Sequence, residues 1–188
     1  MKRILCCLGL PLFLLCLCAC ATGPLMDAQE FTKQFNKLDA ALFLETGAFS
    51  IVENEEEREY RVFLSPEGST QTYLIKLYAD MELQHLKRCS LSCALPEGED
   101  IAPAALTEFQ HVVSCVVSAY TKMPAAEALE QITGQRPELP EGVCFWEANW
   151  FRYSWVLNRL GLCFTVENAR LNPAAEAELS LRAQNNAR

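Results

Sequence analysis

Residues 60–77 read YRVFLSPEGSTQTYLIKL, and their pattern is the strongest indication of the architecture of this chain. Apolar residues occupy every second position on each side of the segment 65–68, SPEG. A period of two places these residues on one face of a strand, and a proline followed by a glycine is typical of a tight turn. The stretch therefore predicts an antiparallel hairpin with one apolar face. The residues of that face are Tyr60, Val62, Leu64, Tyr73, Ile75 and Leu77.

The same alternation extends in both directions from this hairpin. Phe49 and Ile51 alternate with polar or small residues before it, and Cys89, Leu91 and Cys93 alternate after a further turn. The sequence therefore predicts four consecutive antiparallel strands in the first half of the chain.

Three segments carry apolar residues at helical spacing. In the first, Asp27 and Glu30 have the spacing of a capping box. The second opens with Pro103, a residue favoured in the first turn of a helix, and the third ends at Gly134, a favoured stop. The predicted helices are 27–44, 103–122 and 124–133.

Two more strands, at 150–158 and 162–167, form a closing hairpin that follows a loop at 135–142. The predicted order α-ββββ-αα-ββ gives an α+β fold, an antiparallel sheet of about five to six strands with helices packed on one face. We expect a single domain at 27–171. The tail 172–188 has little apolar surface to bury, so we expect it to fray.

The composition excludes several classes of protein. The 188 residues include 24 acidic and 16 basic side chains, giving a formal net charge of -8, and 51% of them are hydrophobic. This apolar content is too high for a disordered chain. The acidic excess leaves no positive surface for phosphate contacts, so we expect no nucleic-acid partner.

The first twenty residues are predicted to direct export rather than to fold. They read MKRILCCLGLPLFLLCLCAC, a basic start followed by an apolar run without charge. The run is shorter than the roughly 20 residues that span a bilayer, and Pro11 interrupts it. This pattern is typical of a cleaved signal peptide.

The end of this segment, Leu17, Cys18, Ala19 and Cys20, resembles the lipobox of bacterial lipoprotein precursors. The resemblance implies cleavage after residue 19, a diacylglyceryl thioether on Cys20 and further acylation of the new amine by chains such as palmitate. It therefore implies a lipid-anchored protein on the extracytoplasmic side of the cell membrane, with residues 20–26 as a short tether. An ordinary secretory signal cut after Ala19 or Ala21 is the alternative.

Five cysteines remain after cleavage and lipidation, an odd number that leaves at least one free thiol. Two residues four apart on one strand face are about 13 Å apart, too far for a disulfide. We therefore expect buried, reduced thiols rather than disulfides. His85 near two of these cysteines would suggest zinc only on a helix, where a strand is predicted, so we expect no metal or cofactor. The five are Cys89, Cys93, Cys115, Cys144 and Cys163.

One possible catalytic group lies on the second helix. Glu108, His111 and Cys115 fall at positions i, i+3 and i+7, where the thiol could lie over the imidazole and the carboxylate could orient the ring. A convex helix face offers neither a pocket nor oxyanion donors. We therefore expect no catalytic site here, and a thiol-dependent or wall-processing enzyme of the cell envelope remains the alternative.

All three tryptophans lie in the segment 144–157, CFWEANWFRYSWVL. A strand here places Trp150 and Arg152 on the face opposite the core, with Trp146 nearby. Flat aromatic rings beside a guanidinium can stack on sugar rings or grip a partner's side chain. These three residues are the candidate binding site, and burial of the strand on both faces is the alternative.

These observations predict a membrane-tethered extracytoplasmic lipoprotein with a non-catalytic role in binding or assembly at the cell envelope. Its expected partners are the membrane, through the N-terminal lipid, and a protein or the cell wall.

Overall fold

The computed structural model describes residues 26–94, 102–135, 142–158 and 161–171. The lipobox at 17–20 and the tail at 172–188 lie outside these residues, as does all of the predicted tether except Met26. The helices are α1 (Ala28–Phe35), α2 (Pro103–Thr121) and α3 (Ala125–Gly134). The strands are β1 (Ser50–Glu53), β2 (Glu57–Leu64), β3 (Tyr73–Asp80), β4 (Leu86–Ala94), β5 (Gly142–Ala148), β6 (Phe151–Asn158) and β7 (Gly161–Asn168).

All seven strands form one antiparallel sheet in the order β1-β2-β3-β4-β7-β6-β5. Two meanders, β1 to β4 and β5 to β7, meet where β4 pairs with β7. In the predicted hairpin Tyr60 lies opposite Leu77, and Val62 lies opposite Ile75. The predicted α+β class and the antiparallel sheet are confirmed.

One face of the sheet, which we call the inner face, forms the core together with the helices. α2 packs at its centre, where the ring centroid of Phe109 lies 6.2 Å from that of Tyr73 and 6.0 Å from that of Trp155. The Tyr120 hydroxyl of α2 also donates to the backbone oxygen of Leu86, at 3.0 Å. Burying each large side chain contributes roughly 1.5–3 kcal/mol, so this face supplies most of the stabilisation.

The opposite face of the sheet, which we call the outer face, carries the polar residues that alternate with the core residues along the strands. Along one row of neighbouring strands the register aligns Tyr78, Arg88, Glu167 and Arg152. The Arg88 guanidinium lies 3.9 Å from the ring centroid of Tyr78 and 3.3 Å from the carboxylate of Glu57. Opposite charges on adjacent strands stabilise the pairing, so this face is held by cross-strand contacts.

The sheet has seven strands, so the predicted count of five to six and the predicted order α-ββββ-αα-ββ are wrong. The observed order is α-ββββ-αα-βββ. The additional strand is β5, whose residues Val143, Cys144, Phe145 and Trp146 are all apolar, so the sequence shows no alternation there. In the structure, exposed and half-buried residues do alternate along β5, as expected for an edge strand with one face on the core.

The first helix is shorter than predicted. Asp27 caps it as expected, accepting a 2.8 Å hydrogen bond from the backbone nitrogen of Glu30, but α1 ends at Phe35 rather than at residue 44. The Asn36 side chain bonds both the backbone nitrogen and the backbone oxygen of Leu44, each at 2.8 Å. An asparagine side chain competes with the hydrogen bonds of a helix. The helix therefore ends before Asn36, and the chain up to Leu44 folds back in turns. The bounds predicted for α2 and α3 agree with the structure to within one residue.

Candidate ligand-binding site

The turn between β5 and β6 consists of Asn149 and Trp150, and both have a left-handed backbone. Their φ angles are 49° and 73°, as in a type I′ hairpin turn. Asparagine and glycine suit such positions, whereas a bulky side chain there is an outlier. Trp150 is nevertheless 60% exposed. A large ring is thus held at the surface on a backbone that disfavours it.

The ring of Trp150 is fixed by the chain that follows β7. The guanidinium of Arg170 lies 3.5 Å from its ring centroid, a cation–π contact. The backbone nitrogen of Ala169 donates to the Trp150 oxygen at 3.0 Å, and that of Arg170 donates to the side-chain oxygen of Asn168 at 3.1 Å. One ring face is therefore covered by a positioned cation, while 60% of the residue remains exposed.

A cavity of about 230 Å³ adjoins this turn. Lys122 closes α2 with a φ of 62°, so three of the four described non-glycine residues with positive φ surround the cavity and the turn. Backbone strain of this kind tends to collect at functional sites. We call this region, comprising the turn, the cavity and the Arg170 segment, the Trp150 corner. The cavity is lined by Thr121, Lys122, Met123, Pro124, Glu127, Asn149 and Phe151.

Strand β6 also carries a buried hydroxyl that has no hydrogen-bond partner among the described residues. Tyr153 follows Phe151 on the inner face and is 2% exposed, and its hydroxyl has no partner among the described residues. Burial raises the pKa of Tyr153 to about 12, and the negative charge of Glu127 acts in the same direction. The hydroxyl therefore stays neutral and can donate a hydrogen bond.

The structure does not bring the three predicted binding residues together. Trp146 lies on the inner face, its ring stacked on Tyr153 with centroids 5.0 Å apart. Arg152 is on the outer face as predicted but is only 5% exposed, and its guanidinium lies 3.9 Å from the carboxylate of Glu167. Of the three, only Trp150 offers an exposed surface.

The possible catalytic group on α2 is likewise divided among different partners. Glu108 accepts hydrogen bonds from the hydroxyls of Ser69 and Tyr73, at 2.5 and 2.7 Å. His111 instead contacts the carboxylate of Asp39, with 2.7 Å between Nε2 and Oδ2. Glu108 therefore joins α2 to β3 and the loop before it and does not orient the imidazole.

The third member, Cys115, is 2% exposed, and burial raises the pKa of its thiol to about 11. A thiol in this environment stays protonated at neutral pH and is a poor nucleophile. Cys89 is also buried, which raises its pKa, and Cys93 donates to the Gln71 side-chain oxygen at 3.0 Å. None of the five described cysteines forms a disulfide. No group of three metal-ligating side chains occurs in the described ranges.

Sequence reasoning missed four residues of the Trp150 corner: Lys122, Glu127, Asn149 and Arg170. Only Asn149 carried a usable signal, because asparagine is favoured in hairpin turns, where it tolerates a left-handed backbone. The other three come from separate elements and meet the turn only through the fold.

Comparison with protein families, curated proteins and solved structures gave no match to this chain. Among the helices of the described ranges, none has both the length and the hydropathy needed to cross a bilayer.

Proposed function

We propose that this protein is a non-catalytic binding protein of the cell envelope, tethered outside the cytoplasm by lipid on Cys20, and that the Trp150 corner is its ligand-binding site. One observation carries the proposal. Trp150 is 60% exposed at a turn where its φ of 73° suits glycine. A ring that adds little to the core and lies on a disfavoured backbone is best explained by a contact with a ligand.

The geometry of the corner supports this role. The Arg170 contact and the hydrogen bond from Ala169 hold the ring in place before any ligand arrives. A rigid, positioned aromatic side chain loses little conformational freedom on binding, which favours affinity. Exposed tryptophan and arginine are also the residue types most enriched among energetically dominant contacts in interfaces.

The start of the domain fits a short tether. Met26 is 2% exposed, and its backbone oxygen accepts a 2.7 Å hydrogen bond from the backbone nitrogen of Leu86, so this residue already belongs to the folded domain. Residues 20–25 span at most about 20 Å when fully extended. On this proposal the domain works close to the membrane that anchors it, on ligands within reach of that surface.

We assign no catalytic step to Cys115 and His111. The high pKa of the buried thiol and the engagement of the imidazole with Asp39 favour a structural role for both residues. A non-catalytic function is therefore the better-supported form of the proposal.

The anchor is tested by mass spectrometry of the mature protein and by membrane fractionation of Cys20→Ser. We expect an acylated N-terminal cysteine in the native protein and loss of the variant from the membrane fraction. An unmodified N-terminus, or a variant that still fractionates with membranes, would refute the anchor.

The ligand site is tested by titrating soluble cell-wall fragments and envelope proteins while following tryptophan emission. Trp150→Ala should abolish the emission change and weaken binding by tenfold or more. Phe63→Ala is a matched control, because Phe63 is an aromatic residue 71% exposed on the outer face. Binding that is lost with Phe63 and kept without Trp150 would place the site elsewhere.

A further inference from the structure

The two edge strands of the sheet differ in how they are protected. β1 is four residues long and exposed throughout, and it runs into the acidic segment 53–57, ENEEE. Short length and charge are devices that keep an edge strand from pairing with other chains. β5 is seven residues long, pairs with β6 without a bulge and carries one charged residue, Glu147. No second strand of the described residues pairs with it, so β5 presents an edge that is ready to accept a strand.

The side chains of β5 also favour the addition of a strand. Val143 and Phe145 lie on the outer face, opposite Val156 and Ser154 of β6, and each is 43% exposed. Apolar side chains that lie side by side on adjacent strands stabilise the pairing. A strand added to β5 with apolar residues on the outer face would therefore cover both exposed side chains.

The chain that follows β7 leads to this edge. The backbone nitrogen of Ala169 donates to the Trp150 oxygen, and the Arg170 guanidinium lies 3.5 Å from the Trp150 ring centroid. Trp150 belongs to the turn that follows Ala148, the last residue of β5. The chain after Leu171 therefore starts from the end of β5, and a segment that passes this turn and turns back along β5 runs antiparallel to it.

The residues that come next have the pattern of a strand. Residues 175–183 read AEAELSLRA, with an apolar residue at every odd position and a polar one at every even position. A period of two over this length is typical of a strand with one apolar face. Taken alone, such a segment has little to bury, which is why the sequence predicts a frayed tail. The exposed apolar side chains of β5 supply the surface that it lacks.

The connection is long enough to reach the free side of β5. With Leu179 opposite Phe145 and Leu181 opposite Val143, Glu176 lies opposite Ala148. The free side of β5 is three strand spacings from β7, about 14 Å. The five residue steps from Leu171 to Glu176 span at most about 18 Å.

We propose that residues 176–182 add to β5 as an eighth, antiparallel strand, with Leu179 and Leu181 packed on Phe145 and Val143. The interaction surface is the β5 edge, and its partner is the tail of the same chain. The tail then covers an edge that would otherwise be a template for pairing with other chains. This inference goes beyond the proposed function and depends neither on the lipid anchor nor on a ligand at the Trp150 corner.

Hydrogen–deuterium exchange of the purified protein, read by mass spectrometry, tests the proposal. The comparison is with a chain that ends at Leu171. We expect the β5 amides to exchange about tenfold or more faster in the shortened chain, because they lose hydrogen-bond partners. β1 is the matched control edge and should exchange equally in both chains. Unchanged exchange of the central strand β3 shows that the shortened chain is folded.

Proline variants test the strand pairing within the full chain. Backbone N–H groups point alternately toward and away from a neighbouring strand, and proline has none. Either Leu179→Pro or Ser180→Pro must therefore remove a hydrogen bond to β5, and we expect at least one of them to reproduce the faster exchange. Asn186→Pro is the control, because it places proline in the same tail outside the alternating segment.

Two results would overturn the proposal. Equal exchange of β5 in the full and shortened chains would show that the tail does not occupy this edge. Protection of β5 that is lost on dilution of the full chain would assign the edge to a second copy of the protein instead of its own tail.

Discussion

Replacing Trp150 with glycine separates a structural role of this ring from a functional one. If the ring serves the fold, Trp150→Gly should destabilise the protein as a core substitution does. If it serves a ligand, the variant should keep its stability and lose its binding. We expect the second outcome, because Trp150 is 60% exposed and its φ of 73° is a glycine conformation.

The expected change in the free energy of unfolding is close to zero. Glycine removes the cost of a left-handed backbone at a bulky residue, about 1–2 kcal/mol. Loss of the cation–π contact with Arg170 removes about 0.5–1 kcal/mol. The greater freedom of glycine in the unfolded chain costs a further 0.5–1 kcal/mol or so. These effects oppose one another and leave a net change within about 1 kcal/mol of zero.

Chemical denaturation of the purified variant measures this change, and Trp155→Ala provides the scale. Trp155 is fully buried between Phe109 and Phe164, so its truncation should cost about 3–5 kcal/mol. A loss of about 3 kcal/mol or more for Trp150→Gly would refute the reasoning and make the exposed ring a structural element.

Three further predictions concern the fold and the thiols. Gly161→Ala should lower the free energy of unfolding by about 1–3 kcal/mol in a denaturant titration, because the added Cβ would lie 2.3 Å from the backbone oxygen of Cys93. Asp39→Asn should reduce stability at neutral pH. The pKa of Asp39 is lowered below 3.8, first by the backbone N–H of Ala41 and then by His111, so its contribution is present above that pH and is lost as the pH falls. Alkylation with iodoacetamide at pH 8, mapped by peptide mass spectrometry, should modify the half-buried Cys144 before the buried Cys115.

Each of these predictions has a result that contradicts it. A Gly161→Ala protein as stable as the wild type would show that β4 and β7 can separate locally. A stability difference between the Asp39→Asn variant and the wild type that widens on acidification would reverse the sign of the linkage. Preferential labelling of Cys115 would show a reactive thiol and would support the alternative of a thiol-dependent enzyme.

The strands predicted correctly are those in which apolar and polar residues alternate, because one face of the strand packs on the core and the other does not. In β3 buried and half-buried residues alternate along the whole strand, so the period of Tyr73, Ile75 and Leu77 marks the buried face. The strand β5 was not predicted, because apolar residues occupy both of its faces at the edge of the sheet. The end of α1 was predicted wrongly, because Asn36 and Leu44 are eight residues apart and bond each other only once the chain turns back.

The residues of the candidate site also differ in whether the sequence alone could identify them. Trp150 could be selected from the sequence, since three tryptophans within one predicted strand region are unusual enough to notice. Its partner Arg170 could not be selected, because the two residues meet only after β6 and β7 have paired. Trp146 and Arg152 looked equivalent to Trp150 in the sequence, and only their packing against Tyr153 and Glu167 distinguishes them.

Local period and composition specify the acidic charge, the antiparallel sheet and the face of the sheet that is buried, and they predict the export signal. The tertiary structure decided where each chain segment turns, which of the tryptophans remains exposed, and which charges surround it. Those properties depend on contacts between residues far apart in the chain, whose geometry no local pattern specifies. The Trp150 corner, built from the ends of five separate elements, is a product of that second kind of information.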